Sequence, residues 1–193
     1  MTADKLTEIY DLLYEYFGPQ HWWPGQSTLE TIVGAVLTQN ANWGNVEKAI
    51  NNLKAAKSLS TERLYNMDIL ELAQLIRPAG YYNLKAGRLK NFINCLVEDF
   101  NGKLCTLRKL DTERLREKLL SIKGIGPETA DSILLYAFEK PVFVVDAYTA
   151  RIAARHVLIE PQADYESLRD LFQSNLPQET QLFNEYHALL VRV

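Results

Sequence analysis

The octapeptide KGIGPETA, Lys123 to Ala130, carries the residue types of an anion cradle. Gly124 and Gly126 permit positive φ and close approach of another backbone, Ile125 between them can plug two helices together, and Pro127 suits a first helical position. A helix starting there, with Glu128 and Thr129 in its first turn, presents backbone N–H groups that no earlier turn can pair. Such a start binds a phosphate oxygen without a cationic side chain. The same spacing also serves a helix turn of purely structural use, because glycine at a helix end is common. Further along, Asp146 follows the run Val142 to Val145 and precedes another helix-like pattern, AYTARIAAR. Taken alone, an aspartate there is an N-cap, and the helix start favours its ionised form. Aromatic residues form a third set: Trp22 and Trp23 before Pro24 in HWWPG, and Trp43 in NANW. Core packing is the ordinary fate of tryptophan, and for Trp22 that reading and a binding-site reading both stay open.

Helices must position these groups. Apolar residues recur at helical spacing at Leu6, Ile9, Tyr10, Leu13 and Phe17, then at Leu29, Ile32, Val33, Val36 and Leu37, then at Leu64, Leu70, Leu72 and Leu75. The pattern predicts an all-α protein. Breaks fall at FGPQHWWPGQS, RPAGYYN, Asn101-Gly102, KGIGP and EKPVFVVDA. One helix, about Thr112 to Ser121, stops at Lys123-Gly124 and the next starts at Pro127. The run Val142 to Val145 is expected to be an extended loop entering the following helix, since a lone strand has no partner. No linker, internal repeat or low-complexity tract divides the chain.

Composition narrows the function classes. With 193 residues and 47% hydrophobic content, the chain can bury a substantial core. Its longest apolar runs, SILLYAF and PVFVV, are far shorter than the roughly 20 residues of a membrane helix. The start, MTADKLTEIYDLLYEYF, reads as an amphipathic helix rather than a signal peptide. Two cysteines, Cys95 and Cys105, make neither a zinc pattern nor a disulfide framework, which points to a reducing cytoplasm. No metal site is expected. Net charge is −3, yet residues 81 to 123 hold ten Lys/Arg against five acids, leaving −8 for the remainder. That segment is either a solvated helix face or a basic surface for a phosphate backbone, and charge alone favours the former.

Taken together in order, VGAVLTQNANWGNV, GYYNLKAGRLKN, KGIGPETA and PVFVVDAYTARIAAR resemble the helix-hairpin-helix DNA glycosylase superfamily typified by endonuclease III, over about Leu29 to Arg155. The resemblance implies two helical lobes with a DNA-binding groove between them, one about 30–140 and the other 1–29 with 141–193. It implies that the hairpin residues Lys123, Gly124, Ile125, Gly126, Glu128 and Thr129, with Lys85 of the YNLKA segment, grip the DNA backbone. It makes Gln39 the residue that fills the gap left by an extruded base, in place of a polar helix cap. Asp146 becomes the catalytic carboxylate, able to stabilise an oxocarbenium-like sugar and to orient or deprotonate water.

Bifunctional members of that superfamily place a lysine at the position matching Glu128 and use it to attack the sugar. A carboxylate cannot form a Schiff base, so the implied enzyme is monofunctional and leaves an abasic site. The aromatic set, Trp23, Pro24 and Trp43 with Trp22, is similar to the 3-methyladenine branch, in which such residues sandwich the extruded base. Electron-rich indoles favour a cationic alkylated purine by about 0.5–2 kcal/mol for each ring. Many members also carry a four-cysteine iron–sulfur cluster after the last helix, and no such run is present here. The expectation is therefore no cofactor in this chain, with a 4Fe-4S cluster only if the natural chain extends beyond Val193.

The leading expectation is a cytoplasmic, monomeric glycosylase, nucleoid-associated in a prokaryote, whose partner is double-stranded DNA containing a damaged base. Alternatives are an endonuclease III-like glycosylase for another damaged or mismatched base, and a non-catalytic helix-hairpin-helix DNA-binding protein. Adenine-specific relatives use a glutamate near the wedge helix, and Glu30 and Glu47 do not sit in that motif.

Overall fold

The computed structural model describes residues 2–193, and among these every regular element is helical. In chain order these are α1 (Thr2–Phe17), α2 (Thr28–Leu37), α3 (Trp43–Ala55), α4 (Thr61–Asn66), α5 (Ile69–Leu75), a 3-10 turn (Arg77–Ala79), α6 (Tyr82–Phe100), α7 (Leu104–Arg108), α8 (Thr112–Leu120), α9 (Pro127–Ser132), a π-helical turn (Ile133–Ala137), α10 (Ala147–Arg155), α11 (Tyr165–Gln173) and α12 (Thr180–Arg192). Most starts are set by side-chain caps. Ser27, Asn42, Ser60, Asp68, Asp111, Asp146 and Asp164 each accept a backbone N–H from the first turn of the helix they precede. Caps of this kind contribute about 1 kcal/mol each, so the polar punctuation of the sequence determines where the helices begin.

The chain forms two compact units, one of residues 1–24 and 134–193 and the other of residues 25–133. The sequence-based boundaries near residues 30 and 140 therefore move by about half a dozen residues. The reason is burial: Leu135, Phe143, Val144 and Val145 belong to the core shared with Leu6 of α1 and Phe172, Phe183 and Tyr186 of α11 and α12. Phe143 stacks on Phe172 at 4.1 Å and meets Phe183 and Tyr186 edge-on at 5.4 and 5.9 Å. The Tyr186 hydroxyl donates to the Leu6 carbonyl at 2.7 Å, so this large aromatic is buried without an orphaned polar atom. Val142 to Val145 adopts no helix or strand and is buried, the extended entry into α10 that its composition predicts.

In the other unit α2 is buried from Leu29 through Leu37, including Glu30, whose carboxylate pairs with Lys54 at 2.7 Å. α8, the tight turn at Ser121–Gly126 and α9 form a helix-hairpin-helix motif. Ile125 at its tip is 4% exposed, and a second internal clamp, Arg116 on α8 to Asp131 on α9, closes the helix pair with two hydrogen bonds at 2.7 and 3.1 Å.

Candidate functional site

Asp146 sits at the N-cap of α10, where Oδ1 accepts the Thr149 backbone N–H at 2.8 Å and the Thr149 hydroxyl at 2.9 Å. Its side chain is 15% exposed, and the second oxygen, Oδ2, lies 3.7 Å from His187 Nε2 on α12. Burial opposes its ionisation. His187 and the two Thr149 bonds outweigh that effect, and the carboxyl titrates below the usual aspartate value of 3.8. A carboxylate that stays charged in a half-buried site can stabilise a cation forming against it. The Tyr136 hydroxyl meets His187 Nδ1 at 2.5 Å, and the Tyr136 ring lies 5.1 Å from that of Trp23, which in turn meets Trp22 at 5.1 Å. One unit thus joins a predicted pocket wall to the predicted carboxylate through two residues, Tyr136 and His187, that sequence reasoning missed. The missed signal was a lone histidine on an apolar face, which by itself is uninformative.

The other predicted pocket residues are placed as follows. Trp22 and Trp23 are both half-buried, and Pro24, which ends the same segment, is exposed. Trp43 is half-buried as the first residue of α3 in the second unit.

Around the hairpin, Lys123, Gly126, Pro127 and Glu128 are exposed, while Ile125 and Thr129 are buried. Gly124 has φ near +99°, and any Cβ there would run into the Arg88 side chain of α6, so both conformation and space require glycine. Gly126 caps α9 with no side-chain hydrogen bond over the helix start. Two side chains hold the turn from behind: Asn91 donates to the Lys123 carbonyl at 2.8 Å, and Gln39 Nε2 donates to the Gly124 carbonyl at 3.1 Å and to Thr129 Oγ1 at 2.8 Å. Gln39 Oε1 accepts from Arg88 Nη1. Gln39 lies in the turn between α2 and α3, and in the free protein its amide is docked on the hairpin.

Lys85 corrects an expectation. It is 1% exposed, and its ammonium donates to the Leu37 carbonyl that ends α2 and to the Ala79 carbonyl of the 3-10 turn, both at 2.7 Å. A group so enclosed offers nothing to a phosphate backbone; it satisfies helix-end carbonyls instead. Burial, and next the charge of Arg88, bring its pKa down to about 8. Lys85→Met keeps the stem and deletes the donors, leaving two carbonyls unsatisfied. It is expected to destabilise the fold by roughly 2–4 kcal/mol in urea unfolding, with the slope against denaturant unchanged. An unchanged midpoint would show that those carbonyls find other donors.

Of the ten cations in the +5 segment, Lys103, Arg108, Lys109, Arg114 and Lys123 are exposed, and several of the others are held internally. Lys90 donates to the carbonyls of Leu64, Tyr65 and Met67 at the C-terminal end of α4, Lys118 pairs with Asp99 at 2.7 Å, and Arg116 is committed to Asp131. These three cations serve helix-end and helix-pair chemistry. An aromatic residue outside the predicted site is Tyr81, 71% exposed and held at φ near +43° immediately before α6. For the iron–sulfur cluster found in many helix-hairpin-helix glycosylases the donor set does not fit: Cys95 and Cys105 lie on α6 and α7, and no group of three or more His, Cys, Asp or Glu among the described residues could hold a metal ion. No described helix is long and apolar enough to cross a membrane.

The model of the HhH-GPD superfamily base excision DNA repair proteins matches residues 33–178, a span that runs from α2 through the hairpin and Asp146 to the end of α11, and the chain belongs to that superfamily. Within it, the chain is 48% identical over 189 residues to a Methanocaldococcus jannaschii protein provisionally named a DNA repair glycosylase, covering 97% of this chain and 86% of the relative. The structure of the H. pylori 3-methyladenine DNA glycosylase MagIII bound to 1,N6-ethenoadenine superposes with a TM-score of 0.82 at 30% identity, covering 98% of this chain and 95% of the other. An endonuclease III–DNA complex shares the fold, with a TM-score of 0.83 at 20% identity over 98% of this chain and 85% of that one.

Proposed function

We propose that this protein is a monofunctional DNA glycosylase that extrudes an alkylated purine, such as 3-methyladenine, from duplex DNA and releases it by hydrolysis. One observation carries the reading: within a single unit, an ionised carboxylate at a helix start, Asp146, is connected through His187 and Tyr136 to the tryptophan pair Trp22–Trp23. The full-length likeness to a 3-methyladenine glycosylase holding a modified adenine supports a purine lesion as substrate.

The chemistry follows from the residues. Gly124, Gly126 and the start of α9 seat a DNA phosphate by backbone amides, with Lys123 exposed beside them. Gln39 fills the gap in the duplex, exchanging its bonds to Gly124, Thr129 and Arg88 for partners in the DNA. Indole faces from Trp23 and Trp43 stack on the extruded base and favour a positively charged one. The C1′–N bond of a cationic purine breaks with the electron pair going to the base, which leaves neutral and needs no proton. Asp146 stabilises the oxocarbenium-like sugar and takes a proton from the water that attacks C1′. Glu128, exposed where bifunctional relatives carry the lyase lysine, supplies no amine. The reaction therefore stops at an abasic site. The partner is damaged double-stranded DNA, acted on by a cytoplasmic monomer that works on the nucleoid in a prokaryote.

Incubation with randomly methylated duplex DNA, followed by chromatography of the released bases, tests activity and substrate together. The expected result is free 3-methyladenine with no strand nicking until alkali is added. A protein–DNA adduct trapped by borohydride would overturn the monofunctional assignment, and release of oxidised pyrimidines in place of alkylated purines would overturn the substrate.

A further inference from the structure

The chain has three histidines; His21 and His156 are exposed, and His187 alone is buried, its side chain 8% exposed. Its Nε2 is a buried atom with no hydrogen-bond partner, and it faces Asp146 Oδ2 at 3.7 Å. Burying an unpaired ring nitrogen is unfavourable, so its persistence calls for a reason. Helix capping is not that reason. Asp68, Asp111 and Asp164 cap α5, α8 and α11 through one carboxylate oxygen, as Asp146 does, and all three are exposed with no histidine at hand.

We propose that His187, anchored by Tyr136, is the positioning residue for Asp146, fixing the orientation and charge of the carboxylate that acts on the sugar; this rests on the glycosylase reading above. With Oδ1 committed to Thr149, the only carboxylate atom left to meet substrate or water is Oδ2, the one His187 faces. Tyr136 supplies the other end of the arrangement. Burial, and after it the charge of Asp146, push its phenol well above the usual value, so it keeps its proton, which is assigned to the contact with Nδ1. In that assignment the neutral ring carries its proton on Nε2, facing Oδ2. Closing the 3.7 Å gap to hydrogen-bond length takes less than about 1 Å of side-chain movement.

Among the described residues the neighbouring ionisable groups are engaged elsewhere. On α12 itself Glu185 accepts the Gln20 backbone N–H, on α1 Asp11 acts on Tyr186 and Tyr10 feels the charge of Glu185, and on α10 Arg151 lies over the Tyr148 ring at 5.0 Å. Asp146 and Tyr136 are the groups that face the imidazole. Because burial of Asp146 opposes its charge, removing His187 leaves that opposition in place and the carboxyl pKa rises. Activity that needs the carboxylate is then lost at a higher pH as the solution is acidified.

Single-turnover release of 3-methyladenine is compared across pH for the unchanged protein, His187→Leu and His187→Gln. The leucine variant is expected to be roughly 10- to 100-fold slower, with its acid limb displaced upward and its DNA affinity within about threefold. Glutamine, which keeps an N–H donor, should recover most of the rate. Equal loss in both variants with an unmoved acid limb would reduce His187 to a packing residue and overturn the proposal. A carbon-13 titration of the Asp146 carboxyl in the DNA-free protein reads the same coupling without substrate: it should rise in His187→Leu, and an unchanged value would overturn the proposal even if base release is slow. Should His187→Leu fail to fold, Tyr136→Phe keeps the ring packing, frees Nδ1 and should raise the carboxyl by a smaller step; no change there also counts against it. If the unchanged protein releases no base from any methylated duplex, the glycosylase reading fails, while the titration still decides the coupling.

Discussion

Asp146→Asn is expected to release 3-methyladenine from methylated duplex roughly a thousandfold more slowly than the unchanged protein, with DNA affinity held within about threefold. The amide preserves the shape of the side chain, and its carbonyl oxygen can still accept the Thr149 N–H that caps α10. What it removes is the negative charge that opposes the developing positive charge on the sugar and the base that takes a proton from water. Lost base release with retained affinity excludes a binding-only protein, because the phosphate contacts proposed for the hairpin do not include Asp146. Gel-shift titration of damaged duplex beside chromatography of released bases separates the two quantities. Should Asp146→Asn release base at the unchanged rate, the catalytic assignment fails, and His187 loses the group through which it is proposed to act.

The second large effect is expected at the tryptophans. Trp23→Ala and Trp43→Ala should each slow excision roughly 10- to 100-fold, while nonspecific duplex binding changes by less than about threefold, since stacking and cation–π attraction together are worth about 1–3 kcal/mol. Trp23 also packs on Tyr136 at 5.1 Å, so its truncation loosens the side chain that anchors His187. Trp23→Phe separates these contributions. Phenylalanine retains an aromatic face for the base and for Tyr136 but is a weaker partner for a cation, so loss should be smaller and confined to positively charged lesions. A uniform loss across charged and neutral lesions would assign Trp23 to packing rather than to selection of the base.

How much could be read before the fold was known differs by residue. Gly124 and Gly126 were legible because the hairpin is local: φ near +99° and the proline start of α9 are properties of a few consecutive residues, and glycine is the type such a turn demands. The cap at Asp146 was legible for the same reason, and so were the helices, whose period is written in the apolar positions. Lys85 was misjudged because sequence reports that a lysine carries charge but not which way it points. Its partners, Leu37 and Ala79, are brought to it by the packing of α2 and the 3-10 turn against α6. Lys90, Arg116 and Lys118 are drawn into pairings by the same route, while Lys103, Arg108, Lys109, Arg114 and Lys123 stay exposed.

Sequence by itself determined the all-α class, the hairpin and its glycines, the capping role of Asp146 and the absence of an amine at Glu128, since each depends on residue type and near neighbours along the chain. Tertiary structure alone decided that Asp146 Oδ2 faces His187, 41 positions away, that Tyr136 and Trp23 stand behind it, and that Gln39 rests on a turn 85 positions distant. Those placements arise from helix packing, in which side chains far apart in sequence meet through burial of apolar faces. No local propensity encodes which polar groups the packing will bring together.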